Sequence, residues 1–259
     1  MALLSISLPH LQISFLIFLR VAAILMTVPF FSSRNIPILL KVGLAFSVSL
    51  LLMPLSPFTD TPFVPTAIPF AIGIVSEIAL GVVIGLSVRL IFAAIQLAGQ
   101  LEGFQMGFAL VNVMDPITSA QASILAQFKS FIAMLIFLAI NAHHCFLRAI
   151  ADSFQLVPLF GFRFNSSLVE YLVKLAGNMF IIAIRVGAPV IVALLLTSVA
   201  FGLIARAVPQ MNVFIVAFPV KIIIGLAFLA ISLPCLLSFL RQLFGDLGTN
   251  ILLILRAMT

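Results

Sequence analysis

The sequence predicts an all-α fold: a polytopic hydrophobic helical protein with kinked or broken helices. Three observations predict it. Of 259 residues, 64% are hydrophobic and 8% are charged, whereas a soluble domain carries about a quarter charged residues. Apolar stretches of helical length alternate with short polar or proline-rich breaks. Several of these stretches contain a proline or a lone charge, as at Pro189, Pro219 and Pro234. No soluble fold of this size hides so much apolar surface, so the chain is of the membrane class. The formal charge of +6 is scattered. No basic run points to nucleic acid or to a polybasic lipid anchor. Cys145 and Cys235 form no CxxC and are expected to be reduced and buried. The N-terminus lacks a basic segment and a small-residue cleavage site, so no removable signal peptide is expected. There are 26 Phe, one Tyr and no Trp. Without interfacial Trp and Tyr belts, the apolar segments are expected to face protein more than lipid.

The first helix is expected from Pro9 to Val28, with Pro9 at a favourable first position and Pro29 as its end. Arg20 lies near its middle, where an arginine facing lipid costs about 2.5–3.5 kcal/mol. It either pairs structurally or faces a partner or water. The second helix covers Ile38 to Met53. Pro54, Pro57, Pro62, Pro65 and Pro69 then mark the clearest loop, with Asp60 its only charge. The third helix covers Phe70 to Ala98, with a close-packing pair at Gly81 and Gly85. Its Glu77 and Arg89 lie twelve residues apart, roughly 120° around the axis, so each needs its own partner.

From Gly99 to Gln121 the chain fits neither a membrane helix nor a solvent loop. Gly99, Gly103 and Gly107 recur every four residues, which lays them on nearly one helix face where a second backbone can approach. The bulky run Phe108 to Met114 follows, and Asp115-Pro116 is expected to stop it. Two readings fit: a helix–helix contact with its connecting turn, or a plug or gate.

The fourth helix is expected from Ala122 to Ile140, with Lys129 early in it. His143-His144 closes or continues it, and adjacent histidines project about 100° apart, which is poor for one metal. Arg148 to Ser167 reads as a mixed connection. The fifth helix, Leu168 to Ile204, carries Arg185 four residues before Pro189. That proline cannot donate to the Arg185 carbonyl, which marks a kink. A second distinctive stretch, Gly202 to Phe214, holds Arg206, Pro209, Gln210 and Asn212. The sixth helix, Val213 to Phe239, contains Pro219, Lys221 and Pro234 and is expected to be bent or split. A short last helix is expected within Arg241 to Thr259. Six helices would put both ends on one side, yet Arg34 and Lys41 make one connection basic and Arg148 and Arg163 the opposite one. The positive-inside rule therefore gives no orientation.

No zinc, dinucleotide, nucleotide or paired-carboxylate motif is present, so no cofactor and no catalytic residue is expected. Ser87 after Gly85-Leu86 and Asp246 after Gly245 only faintly resemble protease fragments. A small-solute transporter built from broken helices is the serious rival. Against it stand the lack of an internal repeat and a single acid, Glu77, well inside an apolar segment.

Gly99-Gln100-x-x-Gly103-x-x-Met106-Gly107 followed by Asp115-Pro116 resembles the signature of the FliR family. That family comprises the flagellar type III secretion export-gate proteins, which have injectisome relatives. Ala188-Pro189-Val190, then Gly202-Leu203-x-Ala205-Arg206-x-x-Pro209-Gln210-Met211-Asn212-x-Phe214, resembles its C-terminal signature. Order, spacing and length all agree, and the likeness covers essentially the whole chain. The resemblance implies a part like FliP to about residue 165 and a FliQ-like helical hairpin from about 166 to 259. It implies one copy packed with FliP and FliQ in a helical hetero-oligomeric ring, with FlhB around its cytoplasmic side and FlhA close below. Unfolded flagellar subunits would leave through this gate, set in the inner membrane and basal body, with much of the complex above the bilayer plane. On this reading Gly103, Met106, Gly107, Phe108, Leu110, Val111, Val113, Met114, Asp115 and Pro116 form the plug. Arg20, Glu77, Arg89, Arg185, Arg206, Pro209, Gln210, Asn212 and Lys221 make subunit contacts.

Overall fold

The computed structural model describes residues 8–32, 36–53, 67–108, 123–210 and 212–258, and no strand occurs among them. The helices are α1 (Leu8–Thr27), α2 (Pro29–Ser32), α3 (Ile38–Leu52), α4 (Ala67–Met106), α5 (Ile124–Ala139), α6 (Ala142–Leu156), α7 (Ser166–Ala207), α8 (Val213–Gly245) and α9 (Leu247–Ala257). The all-α expectation holds. Four helical stretches are long and apolar enough to cross a membrane, or five if α5 and α6 make one broken span. The count of six falls because α5 counts only if joined to α6, and because α3 has only 15 residues. At 1.5 Å per residue it rises about 23 Å, short of a hydrocarbon core of about 30 Å.

Local chemistry explains where the boundaries moved. α4 runs eight residues past the expected end at Ala98, since Leu, Gln, Glu and Met are good helix formers. The connection expected from Arg148 to Ser167 is largely α6. Asn141, at φ 56°, adopts the left-handed conformation that ends α5 before α6 begins. Asn165 caps α7, its Oδ1 accepting from the Leu168 N–H at 2.9 Å. α8 is one helix through both Pro219 and Pro234, not a split one.

The chain forms two compact units. One comprises Met1–Leu90, Asn141–Ala176 and Gly245–Thr259; the other comprises Ile91–Ile140 and Gly177–Phe244. In the first, α1 packs on α3 and α9 on α6. Its core includes Leu16, Ile17 and Ile24 of α1, Leu80 and Ile84 of α4, Ile150 of α6 and Ile251 of α9, all fully buried or nearly so. Gly81 and Gly85 allow the close approach their spacing predicts. A Cβ on Gly81 would stand 2.8 Å from the Arg20 carbonyl oxygen, and one on Gly85 3.1 Å from that of Ile24. In the second unit, Phe92, Phe137 and Phe244 form a ring cluster with centroids 5.3–5.9 Å apart. A second cluster joins Met106, Leu125, Val190, Leu194 and Leu229.

Candidate gate neck and interface charges

α4 ends in a Schellman motif built on Gly107. The Phe108 N–H donates to the Gly103 carbonyl at 3.0 Å and the Gly107 N–H to that of Phe104 at 3.1 Å. The reversal requires φ 94° at Gly107, a conformation that a side chain opposes. The helix therefore stops at Met106, before the bulky run that begins at Phe108. Gly107 serves as the terminator instead of continuing the face of Gly99 and Gly103. Met106, the last helical residue, is fully buried, and Phe108 packs against the cluster around it. Gly225 of α8 leaves room for the Met106 thioether, and the Phe218 ring lies over Gly107. Leu110, Val111, Val113, Met114, Asp115 and Pro116 lie outside the described residues.

The other side of this neck is the start of α5. Gly99 lets the backbones meet, since a Cβ there would fall 2.6 Å from Ala126 Cα. Gly103 faces Ser123, whose hydroxyl donates to the Gly99 carbonyl at 3.4 Å. Gln96 Nε2 donates to Ser130 Oγ at 3.1 Å. Between these contacts Lys129 and Glu102 form a buried ion pair. Sequence reasoning noted both residues without pairing them. The available signal was one lone amine and one lone carboxylate on apolar helices flanking the same connection.

Arg20 and Glu77 form the corresponding pair of the first unit. Arg20 Nε donates to Glu77 Oε2 at 2.5 Å, with the two side chains 0% and 1% exposed. Arg20 Nη1 also donates to the carbonyls of Ser153 and Val157, at 3.1 and 3.0 Å. Its guanidinium carbon lies 4.4 Å from the Phe154 ring centroid. The second Glu77 oxygen accepts from the Phe160 N–H at 3.3 Å. One arginine thus ties α1, α4 and α6 together. Both side chains, expected at subunit contacts, are buried and paired inside the chain, and Arg20 Nη2 has no hydrogen-bond partner among the described residues.

The other interface candidates are placed differently. Arg89, Arg185, Arg206, Pro209, Gln210 and Asn212 are exposed, and Lys221 is half-buried. Arg89, Arg185, Arg206 and Lys221 make no ion pair among the described residues. Lys221 lines a cavity of about 260 Å³ with Phe201, Gly202, Ala205, Ala217 and Phe218. Cys235, expected to be buried, is exposed. Among the described residues no three His, Cys, Asp or Glu gather as metal ligands.

Residues 11–247 match the family described as bacterial export proteins, family 1. The chain is 34% identical over 236 residues to the flagellar biosynthetic protein FliR of Bacillus subtilis (strain 168), with 89% of each chain covered. This chain belongs to the FliR family. The FliR protein of Escherichia coli (strain K12) is 31% identical over 230 residues, covering 88% of this chain and 87% of its own. That of Pectobacterium carotovorum subsp. carotovorum is 33% identical over 229 residues, with the same coverage. As a FliR-family chain with several apolar helices, it is a membrane component of flagellar biosynthesis and export, not an enzyme. Both distinctive stretches of the sequence fall inside the matched region.

Proposed function

We propose that this chain is the structural and gating subunit of the flagellar type III export gate. On this reading one copy joins FliP and FliQ in a helical hetero-oligomer in the bacterial inner membrane, within the flagellar basal body. FlhB and FlhA lie on its cytoplasmic side, and unfolded flagellar subunits pass through. The first part of the chain, to about residue 165, would be FliP-like, and the hairpin of α7 and α8 FliQ-like. The observation that carries the reading is the pair of long signatures, in order and in register, within a family match over residues 11–247.

The gating step is steric. Phe108, Leu110, Val111, Val113 and Met114 supply apolar bulk that excludes water and ions, and methionine adapts to varied cargo. Gly103, Met106 and Gly107 anchor the stretch on its α4 side, and Asp115-Pro116 restricts it further on. Arg89, Arg185, Arg206, Lys221 and the Pro209-Gln210-Asn212 corner make contacts with neighbouring subunits.

The assembly test is co-expression of the tagged chain with FliP and FliQ followed by native mass spectrometry. One copy of this chain in a discrete hetero-oligomer is expected. A monomer that ignores both partners sinks the reading and returns Arg185 to candidacy as a solute-binding residue. The gating test replaces Phe108, Leu110, Val111, Val113 and Met114 by serine in the assembled complex. Ion leak should rise, and unchanged conductance removes the plug.

A further inference from the structure

Between Ile181 and Leu203 one face of α7 is apolar, uncovered and interrupted by a single charge, Arg185. Ile181, Val192, Leu196, Val199 and Leu203 are between 52% and 65% exposed. At 100° per residue all five lie within about 40° of Arg185 around the axis, so they form one stripe about 33 Å long. Arg185 is exposed and makes no ion pair among the described residues. Pro189 lacks the N–H that would bond the Arg185 carbonyl, so a guanidinium and a free acceptor sit together on an otherwise hydrocarbon surface.

A bilayer is a poor cover for this stripe. Arg185 stands near the middle of a 42-residue apolar helix, where an arginine facing lipid costs about 2.5–3.5 kcal/mol. Of the two aromatic types that anchor a helix at the headgroup layer, the chain has one Tyr and no Trp. A second copy of this chain is a poor cover too. The Ile181–Leu203 stripe holds no acid of its own, so two copies packed stripe against stripe would set Arg185 against hydrocarbon or against another arginine.

We infer that the Ile181–Leu203 stripe of α7 is covered by an apolar helix of a different subunit, which brings an aspartate or glutamate against Arg185. The inference rests on the hetero-oligomer reading above and adds the chemistry of the covering helix. The partner helix is long and apolar, it runs along α7, and its one acid sets the register. Desolvation makes that pair costly to break from one side, because the partner's carboxylate is then left buried without a cation.

The test uses the whole export complex, purified through a tag on this chain. Arg185→Leu is expected to lower its recovery at least about tenfold relative to unmodified chain, with Arg185→Lys intermediate. Equal or higher recovery of Arg185→Leu would overturn the inference, since removal of a lipid-facing charge only helps. A benzoylphenylalanine photo-crosslinker replacing Leu196 provides a second readout that does not depend on the variant's assembly. The expected product is a peptide of another subunit with a carboxylate within about three turns of the crosslink. Crosslinking to lipid, to a second copy or to a helix without an acid would overturn the inference. Failure of unmodified chain to assemble with any partner would instead remove the hetero-oligomer reading beneath it.

Discussion

Arg20 shows why a charge in an apolar helix need not be a contact with another molecule. The hydrogen bonds to Glu77, Ser153 and Val157 and the Phe154 ring surround its guanidinium inside the first unit. Removal of one ion of a buried pair strands the other, at a cost of about 3–5 kcal/mol, whereas replacing both by apolar residues of similar volume is often near neutral. Arg20→Met alone should therefore destabilise the chain severely, and Arg20→Met with Glu77→Leu should recover most of the loss. Thermal unfolding in one detergent, read as a double-mutant cycle, measures the coupling; additive losses would show that the pair is not a unit. Gly107 makes a second case at this scale. Its φ of 94° costs a residue with a Cβ about 1–2 kcal/mol, and that Cβ would also press on the Phe218 ring. Gly107→Ala should lower the unfolding temperature and Gly107→Asn less so, because asparagine visits the left-handed region more readily. Equal stability of the two variants would remove the conformational argument.

Among the elements, α4 and α5 show what was readable in the sequence. The four-residue spacing of Gly99 and Gly103, and of Gly81 and Gly85, announced close contacts; Gly81, Gly85 and Gly99 lie against backbone, and Gly103 against the Ser123 side chain. The proline-marked ends and the run of apolar segments gave most helices. Three features were not readable. Helices that are hydrophobic nearly all round lose the 3.6-residue stripe that would show which face is inside. α8 keeps its helix through two prolines, since each removes only one backbone donor from a 33-residue helix, and proline in the sequence does not say whether a helix bends or breaks. The pairs Arg20–Glu77 and Glu102–Lys129 join residues 57 and 27 positions apart, a matter of which helices meet. At the candidate site the glycine neck was legible, and the Gly107 terminator was misread as part of the packing face because both roles use the same residue. The neck yields its own prediction. A methyl on Gly99 meets the Ala126 backbone, which cannot swing aside as a side chain can. Gly99→Ala should force α4 from α5 at a cost of about 1–3 kcal/mol. Gly177→Ala, on open surface inside α7, should instead stabilise by about 0.5–1 kcal/mol. A pair of cysteines at Gln96 and Ser130, whose side chains touch in the unaltered chain, should then crosslink more slowly in the Gly99→Ala background. An unchanged rate would mean that the helices had not parted.

The whole chain divides its polar chemistry in a way that predicts how it unfolds. Among the described residues each unit holds one buried ion pair, Arg20–Glu77 in the first and Glu102–Lys129 in the second. Regions with their own cores tend to open as separate cooperative units. Hydrogen exchange followed by mass spectrometry, on the chain in one detergent, separates the two. Arg20→Met should speed exchange in α1, in α4 around Glu77 and in α6, while α5 and α8 keep their protection. Lys129→Met should do the reverse, loosening α5 and the end of α4 around Glu102 and leaving α1 and α6 as they were. The two variants combined should then lose protection in both sets by the sum of the single effects, as expected for sites without shared partners. If either substitution alone raises exchange evenly through both units, the chain opens as one body, and the neck of the candidate gate is then no more independent of the Arg20 core than any other part of the protein.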